Sequence, residues 1–281
     1  MAIFAPIINF KTNKMMKKYS KYATLLLLAI VPAMVSCSDD DAPKKPSREI
    51  VQVDLYKAEA ETFQIEAQYK LTYDGKGRIS GVRTEYNSQE ISYTHGVNSI
   101  TYRWEGNDPE EGVFVTRFEA SLRDGRVQVG SVDRNVGTES KTYNYNYHYT
   151  NRGYVLDATF GGEQSFNYDW GKTELLIKGH PATYDAQYAY SDVANDYSFD
   201  LNVLPQLVDA RADVQLAMNS YAQLAGVLGA RYPYFLEDVD YTYNYLFDAN
   251  DRLVQIVQTP VSLKPEKQIT YWFMLHYADL K

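Results

Sequence analysis

The sequence predicts a mainly β chain: a strongly curved antiparallel meander sheet, or a partial or closed barrel, made of repeated hairpins with one helical insert near residues 202–228. Three observations carry this. Tyrosines recur at strict alternation in two long runs, three segments align with one another as hairpins, and the period of two is broken only once.

In the first run Tyr143, Tyr145, Tyr147 and Tyr149 alternate with Thr142, Asn144, Asn146 and His148. In the second, Tyr241, Tyr243, Tyr245 and Phe247 alternate with Thr242, Asn244 and Leu246. A period of two places all the rings on one face of a strand and the polar residues on the other. The chain has 26 tyrosines against 11 phenylalanines and 3 tryptophans, so its aromatic face is one that also carries hydroxyls.

The aligned segments are Tyr69 to Val82, Tyr145 to Ala158 and Tyr243 to Ile256. Each reads as an aromatic-alternating strand, a turn with Gly, Asn or Asp, and an aliphatic-led return strand. Leu122 to Val127 is a further tight hairpin around Asp124 and Gly125, and Asp169 to Lys172 marks another turn. From Asn202 to Leu228 the apolar spacing becomes helical. Pro205 suits a first turn and Gly226 or Gly229 a stop. Asp108 to Gly112 and Gln258 to Lys267 read as polar loops.

Ahead of this domain, residues 16–36 have a basic start, an apolar core from Ala23 to Val31 and a break at Pro32, the order of a secretory signal. The apolar run is shorter than the roughly 20 residues that span a bilayer. Residues 1–14 add an apolar stretch before the basic start, as an upstream extension beyond the true initiator would. Met34-Val35-Ser36-Cys37 resembles a bacterial lipobox, which implies cleavage before Cys37 and acylation of that residue. Several acyl chains anchor stably where one is marginal. Ser38, Asp39, Asp40 and Asp41 resemble the acidic signal that carries Bacteroidetes-type lipoproteins to the outer face of the outer membrane. The organisation expected is a signal peptide over 1–36, a lipidated acidic linker over 37–47, and a single β domain over 48–281.

Cys37 is the only cysteine, so the domain has no disulfide and must hold together by its core. Five lysines lie in residues 1–37; the remainder has 23 basic and 36 acidic residues, a net charge of −13. That balance disfavours nucleic acid and anionic lipid surfaces.

The turns Phe247-Asp248-Ala249-Asn250-Asp251-Arg252-Leu253 and Tyr73-Asp74-Gly75-Lys76-Gly77-Arg78-Ile79 resemble the YD repeat of Rhs-type shell proteins. From 48 to 281 the chain is similar to a Bacteroidetes outer-membrane lipoprotein family of unknown function with a porin-like fold. The features that carry this are the lipobox and acidic tail, the Tyr-x-Tyr hairpins, the late Leu-rich insert and the Tyr-rich last strand, Ile269 to Tyr277. The resemblance implies an envelope location and brings no catalytic residues. A lipid-facing barrel shows aliphatic belts with aromatic girdles. Here the rings run along whole strands and the chain ends Asp279-Leu280-Lys281, which favours a water-facing sheet.

Chemistry is sparse. His95, His148, His180 and His276 lack metal-ligand spacing, and Asp192, Asn195, Asp196 and Asp200 match no calcium loop. No metal or cofactor is expected. Glu110 with Glu111, and Glu237 with Asp238 and Asp240, read as solvated charge rather than a glycosidase pair. Trp104 shares a strand face with Ile100 and Tyr102, and Trp170 with Phe166 and Tyr168, which places both in the core. Trp272 falls on the other face of its strand with Thr270, Met274 and His276. Trp272, His276 and Thr270 are therefore the ligand-binding candidates, with Trp272 as an exposed platform. The function read from these features is a surface-anchored, non-enzymatic binding module for a glycan or other envelope component. A structural or interaction subunit of an outer-membrane complex is the alternative, and a glycan hydrolase is less favoured.

Overall fold

The computed structural model describes residues 47–59, 62–84, 89–108, 112–161, 164–180, 185–205, 214–261 and 269–278. Residues 1–46 lie outside these, and with them Cys37, Ser38 to Asp41, the signal segment and most of the linker. So do the tips of the two expected polar loops, the middle of the insert and the last three residues.

Sixteen antiparallel strands form one sheet. They are β1 (Ile50–Glu59), β2 (Thr62–Tyr73), β3 (Ile79–Thr84), β4 (Gln89–His95), β5 (Ser99–Asp108), β6 (Gly112–Arg123), β7 (Arg126–Val136) and β8 (Glu139–Tyr149). β9 (Val155–Phe160), β10 (Gln164–Trp170), β11 (Glu174–His180), β12 (Asp185–Ala194), β13 (Tyr234–Asp238), β14 (Tyr241–Phe247), β15 (Leu253–Pro260) and β16 (Ile269–Tyr277) complete it. Sequential strands pair from β1 to β13 and from β14 to β16, and β16 pairs back onto β1. The expected curved meander is thus a nearly closed barrel.

Over β5, β6 and β8 the inward face is aromatic and the outward face largely polar. Ile100, Tyr102 and Trp104 of β5, Phe114 and Phe118 of β6, and Tyr145 and Tyr147 of β8 are buried in one core. The alternating residues Arg103, Arg117, Glu119, Asn144, Asn146 and His148 are exposed. A bilayer-spanning wall has the opposite arrangement, and an arginine on a lipid face costs about 2–4 kcal/mol at the midplane.

Inward tyrosines reach hydrogen-bond partners that phenylalanine could not. The Tyr149 hydroxyl donates to the carbonyl of Val127 at 2.6 Å, Tyr277 to Leu253 at 2.6 Å and Tyr93 to Tyr221 at 3.0 Å. A buried hydroxyl left without a partner costs about 1–3 kcal/mol. These three tyrosines are therefore matched to the carbonyls they face.

The three aligned hairpins share one turn geometry. At each, the amide of the first turn residue (Asp74, Thr150, Asp248) donates to the carbonyl four positions on, and its own carbonyl accepts from the residue three positions on. That third residue has positive φ in every case: Gly77 at 74°, Gly153 at 86° and Asp251 at 58°. A register shift falls at the same place each time. This is a three-residue loop with a bulge, which needs a left-handed residue there. Asp74 and Asp248 reinforce it, each accepting from two turn amides and from the Nε of Arg78 or Arg252. Thr150 holds the third turn with one bond from Tyr154 N at 3.2 Å.

Between β12 and β13 the chain leaves the wall and fills one end of the barrel. Residues 203–205 turn helical, and helix α1 spans Val214–Leu224. α1 stops at Gly226, whose φ is 73°; Val227 N bonds Ala222 O and Gly226 N bonds Gln223 O, a Schellman cap. Of the two expected stops, Gly226 is the one used. The Tyr147 hydroxyl bonds Asn219 on α1, and the Trp104 ring meets Tyr221 edge-on at 5.4 Å.

The barrel closes differently at its seam. β13 and β14 are consecutive and joined by a short turn, yet the sheet runs from one to the other only the long way round. Leu236 of β13 looks into the interior beside Tyr190, while Phe235 on its other face packs on Tyr243 and Tyr245 of β14 at 5.8 and 5.9 Å. The Tyr245 hydroxyl bonds Glu237, and Asp238 N donates to the Tyr243 hydroxyl at 3.1 Å. Side chains, not a backbone ladder, hold these two strands together.

Candidate functional site

The insert meets β4, β5 and β8 through Tyr221 and Asn219, and between it and β10 to β12 lies a cavity of about 200 Å³. Phe166, Tyr168 and Trp170 of β10, Leu175 and Ile177 of β11, and Ala186 and Tyr188 of β12 form its wall. The period of two brings them to one face. Asp200, Asn219 and Gln223 of the insert line the other side.

The carboxylate of Asp200 is the polar centre. Its Oδ1 accepts from Asn195 Nδ2 at 2.6 Å and from the amide of Asn202 at 3.0 Å, and its Oδ2 accepts from Gln223 Nε2 at 3.0 Å. All three donors are neutral. No lysine or arginine among the described residues lies within ion-pair distance of it, although the residue is only 9% exposed.

Tyr168 lines the opposite wall, and its hydroxyl has no hydrogen-bond partner among the described residues. Burial alone pushes its pKa up to about 12, so it stays a neutral donor and acceptor. Toward the filled end four rings cluster: Tyr154 lies 4.9 Å from Trp170, Trp170 5.5 Å from Tyr232, Tyr154 5.8 Å from Tyr232, and Tyr232 4.5 Å from Tyr190. The Trp170 indole N–H donates to Val155 O at 2.7 Å. Trp170 is therefore half-buried at the cavity, in a cluster with Tyr154 and Tyr232, and not in the closed core as its alternation implied. Trp104 is in that core.

No protein-family model and no curated protein sequence matches the chain. Among solved structures it is similar to a porin-like protein from Bacteroides uniformis, at 14% identity and a TM-score of 0.56, over 82% of this chain and 100% of the other. The chain has a porin-like fold. A second porin-like protein, from Bacteroides vulgatus, aligns over 83% of this chain and 99% of its own at 13% identity and a TM-score of 0.48. At these identities the likeness concerns the barrel.

The residues singled out on β16 of this porin-like barrel lie on its outer face, away from the cavity. Trp272 is 8% exposed, which corrects the expectation of an open platform. Phe63 meets it edge-on at 5.5 Å, and Tyr56 stacks on Phe63 at 5.0 Å, so neighbouring rings on β1 and β2 cover it. Alternation gives the face a side chain takes, not what lies over it. Thr270 approaches Thr259 at 3.4 Å. His276 Nε2 pairs with Asp54 Oδ2 at 2.9 Å, and Asp54 also accepts from Gln52 and Gln68, both at 2.8 Å. Burial raises the Asp54 pKa, but the bonds from His276, Gln68 and Gln52 outweigh it and leave the carboxyl below its usual range.

Of the oxygens weighed for calcium, Asp196 pairs with Arg48, Asn195 accepts from the amide of Leu201, and Asp200 accepts from Asn195 and Gln223. Among the described residues no three acidic, histidine or cysteine side chains are grouped to hold a metal. Sequence reasoning passed over Tyr168, Asn219 and Gln223, and took Asp200 only as a possible cation ligand. The signal was a carboxylate between Phe199 and Leu201, in an insert of helical apolar spacing.

Proposed function

We propose that this chain is a lipid-anchored, non-enzymatic binding protein displayed on the outer face of the outer membrane, and that it takes its ligand in the barrel cavity. The observation that carries the binding reading is that cavity: about 200 Å³ between aromatic walls, with one enclosed carboxylate. Preformed cavities with a few convergent polar groups are the usual places for ligands. The lipobox ending at Cys37, the acidic Ser38 to Asp41 and the water-facing barrel exterior support anchorage by acyl chains. A YD-like, Bacteroidetes lipoprotein lineage agrees with that address.

The glycan reading loses its original support with the burial of Trp272, and a hydrolase would need a second carboxylate facing Asp200 across the cavity. The alternative of an interaction subunit is favoured by β14, an edge strand whose Thr242, Asn244, Leu246 and Phe247 are exposed and uncharged. Such an edge can accept a strand from a partner.

Two measurements test the proposal. Mass spectrometry of the mature N-terminus should find acylated Cys37, and Cys37→Ser should release the protein from membranes. A ligand screen by thermal shift should give hits that Ala186→Leu, which fills the cavity, abolishes. Hits untouched by that substitution move the site elsewhere; an unacylated N-terminus ends the anchor.

A further inference from the structure

Resting on the reading of this cavity as the binding site, we infer that it takes a compact apolar molecule with one ammonium head, such as an aryl-alkyl amine, rather than a sugar or an anion. Three features converge on that chemistry. Much of the cavity is aliphatic: Val155, Leu175, Ile177, Ala186, Leu228 and Leu236 carry no hydrogen-bonding side chain, and the polar side chains that share the lining include Asp200, Asn219 and Gln223 grouped on the insert. Its volume of about 200 Å³ is below the roughly 300–1,000 Å³ of pockets for drug-sized ligands, so the guest is a fragment-sized molecule.

The third feature is charge. A carboxylate taken out of water is normally paired with a cation. Asp200 has three neutral donors and no basic partner among the described residues. Its Oδ2 accepts only one of these bonds, which leaves it capacity toward the cavity. Around it are further acceptors. Gln223 spends its Nε2 on Asp200, which leaves the amide carbonyl, and the Tyr168 hydroxyl can accept from across the cavity. An ammonium group has three donors and no acceptor, and it answers this arrangement; a carboxylate or phosphate is repelled by it.

The test uses the full-length protein in detergent with four probes: phenethylamine, phenethyl alcohol, 3-phenylpropionate and glucose, each followed by calorimetry and thermal shift at pH 7. Phenethylamine is expected to bind about tenfold more tightly than the alcohol, a difference of about 1.4 kcal/mol. Phenylpropionate and glucose should not bind. Asp200→Asn should shrink the amine preference below about threefold. Because Asp200 also ties the insert together, Ala186→Leu serves as an independent variant that should abolish binding of amine and alcohol alike. Equal binding of amine and alcohol overturns the ammonium assignment. Glucose binding without amine binding overturns the ligand class and leaves the cavity as the site, and no binding by any probe overturns both.

Discussion

The wall from β5 to β8 and the wall from β10 to β12 are built from the same alternating aromatics, yet one is solid and the other lines a void. On the first, Tyr102 stacks on Phe118 at 4.4 Å, Phe118 meets Tyr145 at 6.1 Å, and Trp104 is wedged between Phe114 and Tyr221 of α1. On the second, Tyr168 and Tyr188 line a cavity shared with Asn219 and Gln223 of α1. Alternation decides which way a ring points. Whether anything meets it there depends on where the insert lies.

Three pairs of substitutions and one change of pH would break or sharpen that contrast. The largest effect is expected for Phe118→Ala, at about 3–5 kcal/mol lost in urea denaturation, because a fully enclosed ring leaves a cavity that cannot collapse. Phe166→Ala on the looser wall should cost about 2 kcal/mol, and equal losses would erase the distinction. Next come added atoms. A Cβ on Gly130 meets the Phe118 ring at 3.0 Å, so Gly130→Ala should cost about 1–3 kcal/mol, while Ala186→Leu should lie within about 1 kcal/mol of neutral. Smaller still are the hydroxyls. Tyr147→Phe strands its Asn219 partner for about 1 kcal/mol, and Tyr168→Phe should fall within about 0.5 kcal/mol because no hydrogen bond to a described residue is lost.

The last effect is confined to the turns at the filled end. The Arg78 side chain and the turn amides hold the Asp74 carboxyl down at about 2, below its ordinary 3.8. A depressed carboxylate supports the fold fully above its unfolded value and loses that support as pH falls through its folded value. Hydrogen exchange at the Arg78 amide should therefore quicken between about pH 4 and pH 2. Exchange at Tyr154, whose turn is held by Thr150, should not; parallel acceleration at both would assign the loss to the barrel as a whole.

Much of this was legible. The inward rows of β8 and β14, the three matching hairpins and a helical stop at Gly226 or Gly229 follow from local rules that need only a few neighbouring residues. The cavity was not, because it is set by the meeting of β10 to β12 with residues 200–223, far apart in sequence. Trp170 and Trp272 show the same limit. Both obey the alternation of their strands, but Tyr232 and Phe63, which decide their environments, come from elsewhere in the chain. The side-chain closure at β13 and β14 was equally hidden, since two strands joined by so short a turn would ordinarily ladder.

The pairing of β16 with β1 has a consequence for how the molecule is made. The first strand waits for the last, so from the moment β1 emerges until Ile269 to Tyr277 arrive it has β2 on one side and an unsatisfied edge on the other. A chain cut short before residue 269 would keep that edge permanently and offer it to any neighbouring strand. Delivery of the final nine-residue strand, rather than any single core contact, is thus the step that turns a sticky sheet into a finished container.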